Sequence, residues 1–272
     1  MKISWAYGVT TVPARAGELL PRTLRSLAAG GFDRPWLFVD DCRYPFHDKD
    51  YERFSCPVTN RYPRVGAWGN WLLGLTELWI RSPGCDYYAM FQDDLVCVRG
   101  LRKYLEQCLQ ETHEAHASDK EIVAAFDQDV ALRKRVSEYL ARRTPLHYVN
   151  LYTVSQNEEL ADGRQGFYPS NQIGRGALAL VFPKDAVEAL LSDVGVVNKP
   201  CHCNRPDSKI DGTVAGAMKR AGCTELVHYP SLVEHTGVDS AIGHKIGPAY
   251  RSAPSFPGED CDVRTLLRGA KT

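Results

Sequence analysis

The sequence predicts an α/β fold: a mostly parallel sheet flanked by helices. Two unbroken apolar runs, Trp36-Leu37-Phe38-Val39 and Tyr87-Tyr88-Ala89-Met90-Phe91, read as strands buried on both faces. Helix-spaced apolar residues lie between such runs. Both runs stop on acids, Asp40-Asp41 in the first and Gln92-Asp93-Asp94 in the second. Carboxylates at the carboxyl ends of buried strands lie where open α/β sheets bind ligands, so the pattern predicts a polar, cation-assisted site.

Ile3 to Val12 reads as the first strand, closed by Pro13, which cannot serve a central ladder. Glu18 to Ala29 reads as a helix, with Leu19, Leu20, Leu24, Leu27 and Ala28 at helical spacing and Gly30-Gly31 at its end. Pro35 to Val39 is the second strand, and strand–helix–strand is the unit of a parallel sheet. A short strand is expected around Val58, then a helix from Gly66 to Trp79 with Trp68, Trp71, Leu72, Leu75 and Trp79 on its apolar face. The strand ending at Asp94 follows, then a short helix from Leu101 to Leu109.

Composition shifts from about residue 111 to 147, a charged, helix-prone stretch containing Arg133-Lys134-Arg135 and Arg142-Arg143. It reads as a helical insertion, with a solvated face as the ordinary account of its charges. Strands resume at Tyr148 to Val154 and at Ala177 to Phe182, with helices at Lys184 to Leu191 and Asp211 to Ala221. A single catalytic domain is expected over 1–243, and residues 244–272, rich in Pro and Gly at their start, are expected to wrap it as a C-terminal extension.

The 272 residues, 44% of them hydrophobic, are enough for a sizeable core. Lys plus Arg balance Asp plus Glu at 33 each, so the chain lacks the overall basic excess of many nucleic-acid binders. No apolar run reaches the ~18 residues of a membrane helix, and no membrane span is expected. The start, Met1-Lys2-Ile3-Ser4-Trp5, lacks the long apolar stretch of a secretory signal. Nine cysteines without framework spacing suit reduced thiols, and the expected location is cytoplasmic.

Several residues could carry chemistry. Asp93 and Asp94 after a buried strand could hold a hard divalent ion, or simply begin a loop. His235 ends Pro230-Ser231-Leu232-Val233-Glu234-His235; alone, it is an ordinary structural histidine, and it gains meaning only beside Asp94. Asp211, in Lys209-Ile210-Asp211-Gly212-Thr213, reads as an N-cap, a general base, or both. Arg15 and Arg64 could each clamp a phosphate through the planar guanidinium, or be plain surface residues. Cys201-His202-Cys203 lacks the second pair a structural zinc site needs. Gly174-Arg175-Gly176 precedes a strand and so is not a dinucleotide fingerprint.

Taken in order, Thr10-Thr11-Val12-Pro13-Ala14-Arg15, Phe38-Val39-Asp40-Asp41, Gln92-Asp93-Asp94, Ile210-Asp211-Gly212 and Pro230 to Gly237 resemble the GT-A class of nucleotide-sugar glycosyltransferases. The likeness spans roughly residues 3 to 240. It implies a GT-A-like, Rossmann-like sheet domain with a helical insertion. It implies a donor pocket lined by Thr10, Thr11, Val12, Arg15, Asp40, Asp41, Arg64 and Asp93, with Asp40 or Asp41 meeting base or ribose. It puts Gln92-Asp93-Asp94 at the family's Asp-any-Asp metal motif, with Gln92 replacing the first acid. Asp94 and His235 would then hold a divalent cation, Mn2+ or Mg2+. Asp211 would be the base of an inverting reaction, and Gly174, Arg175 and Gly176 would lie beside the donor sugar or acceptor. The implied donor is a nucleotide-diphosphate sugar, most simply a UDP-sugar. The acceptor is left between a glycan and a modified nucleic-acid base such as a hydroxylated base in DNA. A nucleotidyltransferase, or a non-catalytic nucleotide-binding module made thinkable by Gln92, are the competing readings.

Overall fold

The computed structural model describes residues 2–42, 54–109, 147–201, 209–236 and 252–268. The chain runs through β1 (Trp5–Thr11), α1 (Leu19–Ala29), β2 (Trp36–Val39), β3 (Val58–Asn60), α2 (Gly66–Arg81), β4 (Tyr87–Gln92), β5 (Leu95–Cys97) and α3 (101–109). It continues through β6 (His147–Asn150), β7 (Gly166–Pro169), β8 (Ala179–Pro183), α4 (Lys184–Ser192), α5 (Ile210–Arg220), β9 (Thr224–Tyr229), β10 (Val233–His235) and α6 (Val263–Arg268). The expected helical insertion falls on residues 110–146, outside the described residues, and so does the basic run at 133–135; His147 already belongs to β6.

Eight strands form one sheet in the order β3-β2-β1-β4-β8-β6-β9-β7, and β10 pairs with β5 in a second. β3, β2, β1 and β4 are parallel neighbours, and β6 is parallel to β9. β8 runs against both β4 and β6, and β7 runs against β9. The sheet is therefore mixed and mostly parallel, and the acidic ends of β2 and β4 lie in its parallel half.

Alternation along β4 explains its unbroken apolar run. Tyr87, Ala89 and Phe91 join one core with Leu20, Leu24 and Leu27 of α1, while Tyr88 and Met90 join another with Trp68, Trp71 and Leu75 of α2. A strand covered on both faces has no polar face. Each fully buried large apolar side chain contributes on the order of 1.5–3 kcal/mol. Gly74 lets α2 approach closely: a Cβ there would lie 2.7 Å from the Phe38 ring.

Two sequence expectations shift. The strand expected over Tyr148 to Val154 stops at Asn150. The Leu151 amide still donates to the Ala179 carbonyl at 3.0 Å; after it the chain leaves the ladder, the Thr153 amide turning to the Ser231 hydroxyl at 3.0 Å. Asp211 does not occupy the N-cap of α5; Lys209 does, and Asp211 lies in the first helical turn. Of the C-terminal stretch, residues 252–268 return to the sheet domain. The Ala253 amide donates to Glu234, Ser255 donates to Glu158, and the 262 position bridges to Arg99.

Candidate active site

Backbone pairing brings together two residues far apart in the chain. β5 leaves the Asp93-Asp94 turn, and β10 runs antiparallel to it with His235 opposite Leu95. The Thr236 amide donates to the Asp94 carbonyl at 2.8 Å. This register sets the His235 imidazole against the acid, with Nε2 3.3 Å from Asp94 Oδ2.

Arg15 completes the cluster. Its Nη1 donates to Asp93 Oδ1 at 2.5 Å and to Asp94 Oδ2 at 2.8 Å. The Thr11 hydroxyl donates to the other Asp93 oxygen at 2.6 Å. Thr10 pairs with Gln92 across β1 and β4, and its hydroxyl donates to the Phe91 carbonyl at 3.3 Å. Val12 follows β1, its carbonyl accepting the Arg15 amide at 3.0 Å. Of the expected donor-pocket residues, Thr10, Thr11, Val12, Arg15 and Asp93 thus lie at one strand end with Asp94 and His235.

The two acids are nearly buried, and one guanidinium serves both. Burial pushes the Asp93 carboxyl up to about 6, only partly offset by Arg15 and Thr11. Burial also works against ionised Asp94, but the hydrogen bond and charge of His235, with Arg15, outweigh it and hold that carboxyl below its ordinary value. Of the two acids, Asp94 is the one its surroundings hold toward the ionised form. Its Oδ1 is buried with no hydrogen-bond partner among the described residues.

A second cluster joins the first through Gln92, whose side-chain amide donates to the Ala177 carbonyl at 2.7 Å. Ala177 follows the Gly174-Arg175-Gly176 turn. The Gly176 amide donates to Asp211 Oδ2 at 3.3 Å, and a Cβ on Gly174, at φ +75°, would lie 2.6 Å from the Gly212 Cα. The glycine turn is thus pressed onto the first turn of α5. Exposed Arg175 is held through its carbonyl, which accepts from Asn150 Nδ2 at 3.1 Å. Behind it lies buried Glu225, an acceptor for Asn150 and Ser170, its carboxyl raised by desolvation.

Asp40, Asp41 and Arg64 lie at the start of α2, beside the end of β1: the Asp40 amide donates to the Thr11 carbonyl at 3.0 Å. The Asp40 carboxylate accepts from the amides of Asp41 and Val65 at 2.9 Å each and of Gly66 at 2.8 Å. Both oxygens are taken up by backbone donors at a helix N-terminus, where a negative charge is favoured. Exposed Asp41, held at φ 61°, is the acid of that pair left facing outward, with exposed Arg64 before Val65.

Residues not singled out in the sequence support the acid turn. The buried Thr23 hydroxyl of α1 lies 2.8 Å from the Asp93 carbonyl and 2.9 Å from that of Leu95, and accepts the Leu95 amide at 3.2 Å. Glu234 accepts the His235 amide at 2.7 Å and the Ala253 amide at 3.1 Å, bracing the histidine strand. Thr23 carried one signal: a hydroxyl on the leucine face of an amphipathic helix.

Among the described residues no group of three or more His, Cys, Asp or Glu is set to hold a metal ion, and no helix is long and apolar enough to cross a membrane. No family model and no curated protein matches the sequence. A solved structure of GalNAc-T7 with UDP, GalNAc and Mn2+ is similar at TM-score 0.50 and 12% identity, over 97% of this chain and 48% of that one. This chain therefore spans about half the length of that structure. Another, of CMP:2-keto-3-deoxy-manno-octonic acid synthetase complexed with CTP, has a TM-score of 0.38 and 11% identity over 82% of this chain and 88% of that one, too slight a likeness to use. The fold is GT-A-like.

Proposed function

We propose that the protein is a glycosyltransferase that moves a sugar from a nucleotide-diphosphate sugar, most simply a UDP-sugar, to an acceptor hydroxyl with inversion. The observation that carries this reading is the meeting of Asp94 and His235, 3.3 Å apart, at the carboxyl end of β4 in a GT-A-like sheet. The similar GalNAc-T7 structure, which holds UDP, GalNAc and Mn2+, supports a nucleotide-sugar donor and a divalent ion.

The residues fit such an ion. Asp94 Oδ1 is a buried acceptor with no partner among the described residues, and an ionised carboxylate beside an imidazole suits Mn2+ or Mg2+. Asp94 and His235 would hold the ion from the protein side, and a Mg2+ site built on so few protein ligands relies on substrate phosphates and water for the rest. When bound, the ion stabilises the negative charge that gathers on the leaving diphosphate.

The chain's own groups divide the remaining work. Thr10, Thr11 and Val12 would border the nucleotide, Arg15 and Asp93 its diphosphate, and Asp41 with Arg64 the outer part of the donor. The glycine turn would approach the sugar with backbone rather than side chains. Asp211 would take the proton of the acceptor hydroxyl, with its Oδ2 oriented by the Gly176 amide. The acceptor would be a glycan or a hydroxylated nucleic-acid base.

The test is hydrolysis of a panel of sugar nucleotides with EDTA and with added Mn2+. Release of nucleoside diphosphate from one donor, abolished by EDTA and restored by Mn2+, is expected; no turnover of any donor would overturn the reading. A nucleic-acid acceptor predicts duplex binding that falls steeply as ionic strength rises, and a flat response counts against it.

A further inference from the structure

The ion pair between Arg15 and both acids has a consequence for how the site loads. Arg15 Nη1 is 2.8 Å from Asp94 Oδ2, the same oxygen that faces His235 Nε2. A divalent ion sits about 2 Å from a carboxylate oxygen, so an ion sharing that oxygen would lie within about 5 Å of the guanidinium nitrogen. Two cations so close in a nearly buried site repel strongly.

We propose that Arg15 is an exchangeable counter-ion: it neutralises Asp93 and Asp94 in the empty protein and yields them to a divalent cation when a diphosphate arrives to receive its guanidinium. The inference rests on the reading of Asp94 and His235 as metal ligands. Three observations support it. The Arg15 side chain is 13% exposed against 4% for each acid, so it keeps more contact with solvent than the carboxylates it pairs with. It stands on the Pro13–Arg15 turn just after β1, at the carboxyl end of the parallel strands where ligands of open α/β folds bind, and its planar fork matches phosphate oxygens. Asp94 Oδ1 lacks a hydrogen-bond partner among the described residues, so one oxygen of the acid stays uncommitted while Arg15 is in place.

Exchange makes metal and nucleotide bind cooperatively. Each removes an obstacle to the other: the ion frees the arginine for phosphate, and the phosphate draws the arginine off the acids. Such coupling is reciprocal.

Free Mn2+ measured by its paramagnetic resonance signal gives a readout that does not depend on turnover. Wild type and the Arg15→Gln and Arg15→Lys variants are titrated with Mn2+ alone and with UDP, against a nucleotide-only control. Arg15→Gln is expected to bind Mn2+ alone about tenfold more tightly than wild type, with Arg15→Lys between them. UDP is expected to tighten Mn2+ binding to wild type by about tenfold more than it does for Arg15→Gln. The wild-type arm with and without UDP tests the idea even if a variant folds poorly.

Equal Mn2+ affinity in wild type and Arg15→Gln, unchanged by UDP, would overturn the exchange while leaving the metal ligands intact. Binding to Arg15→Gln but never to wild type with UDP would show that Arg15 stays put, and also overturns it. No Mn2+ binding to any form would remove both this inference and the metal part of the proposed function.

Discussion

The Gln92 side-chain amide donates to the Ala177 carbonyl at 2.7 Å, tying the end of β4 to the glycine turn that presses on Asp211. Because family resemblance puts an acid at position 92, Gln92→Glu looks like a repair of the metal motif. It is expected to do the opposite. A carboxylate has no hydrogen to give the carbonyl, and it adds a third acid beside Asp93 and Asp94. Losing the bond and leaving its acceptor unsatisfied costs about 1–3 kcal/mol. Urea denaturation at pH 7 should show that loss, shrinking as pH falls and the new carboxyl, its pKa raised by the neighbouring acids, protonates and can donate again. A variant as stable as wild type at pH 7 would contradict this role.

Thr23 makes a similar case from inside the core. Its hydroxyl is buried between the Asp93 and Leu95 carbonyls and accepts the Leu95 amide. Thr23→Val keeps the shape and removes every one of these bonds, leaving buried backbone groups unpaired at about 1–3 kcal/mol. Thr23→Ser retains the hydroxyl and should recover most of the loss in the same urea titration. Equal stability of the Val and Ser variants would show that the acid turn does not depend on α1.

His228 gives the protein a pH-dependent component of stability. Its Nδ1 is 2.6 Å from the Pro230 carbonyl, which can only accept, so Nδ1 carries the hydrogen and Nε2 accepts from the Tyr104 hydroxyl at 2.6 Å. Both nitrogens are satisfied in the neutral ring. Burial lowers its pKa from 6.5 to about 4, against a smaller opposing effect of the Pro230 carbonyl. The unfolded chain therefore takes up this proton before the folded chain does. The contribution is complete above pH 6.5 and is lost as pH falls toward 4, by roughly 3 kcal/mol. Denaturant titrations at pH 7 and pH 4.5 should show His228→Gln losing less stability over that interval than wild type. Parallel pH profiles for the two proteins would refute it.

What the sequence revealed and what it hid follow from the range of the interactions. The apolar run of β4 announced a strand covered on both faces, and α1 and α2 showed their leucine and tryptophan faces, because both patterns are local. The reversed direction of β8 left no trace, since an apolar run reads alike in a parallel or antiparallel neighbour. Asp40 looked like an acid aimed at a ligand because the amides it accepts lie up to 26 residues away, beyond any local capping pattern. The approach of His235 to Asp94 came from resemblance rather than periodicity, for it is fixed by the β5–β10 register across 141 positions of sequence, a pairing that no local window contains.

Asp211 is where position and chemistry can be separated. It stands in the first turn of α5, with Oδ2 accepting the Gly176 amide at 3.3 Å and Oδ1 its neighbour Gly212 at 3.1 Å. Asparagine keeps an oxygen for the Gly176 bond and nearly the same volume, so Asp211→Asn should leave the fold and the glycine turn in place. It cannot take a proton from an acceptor hydroxyl. Turnover with the donor found by the hydrolysis panel should fall by about 10²–10⁴-fold, while affinity for UDP, measured calorimetrically, stays within about threefold of wild type. Loss of UDP binding in parallel with turnover would make Asp211 a donor-binding or structural residue. Full activity in Asp211→Asn would mean that another group accepts the proton, and the buried Glu225 behind the same turn would be the next carboxylate to replace.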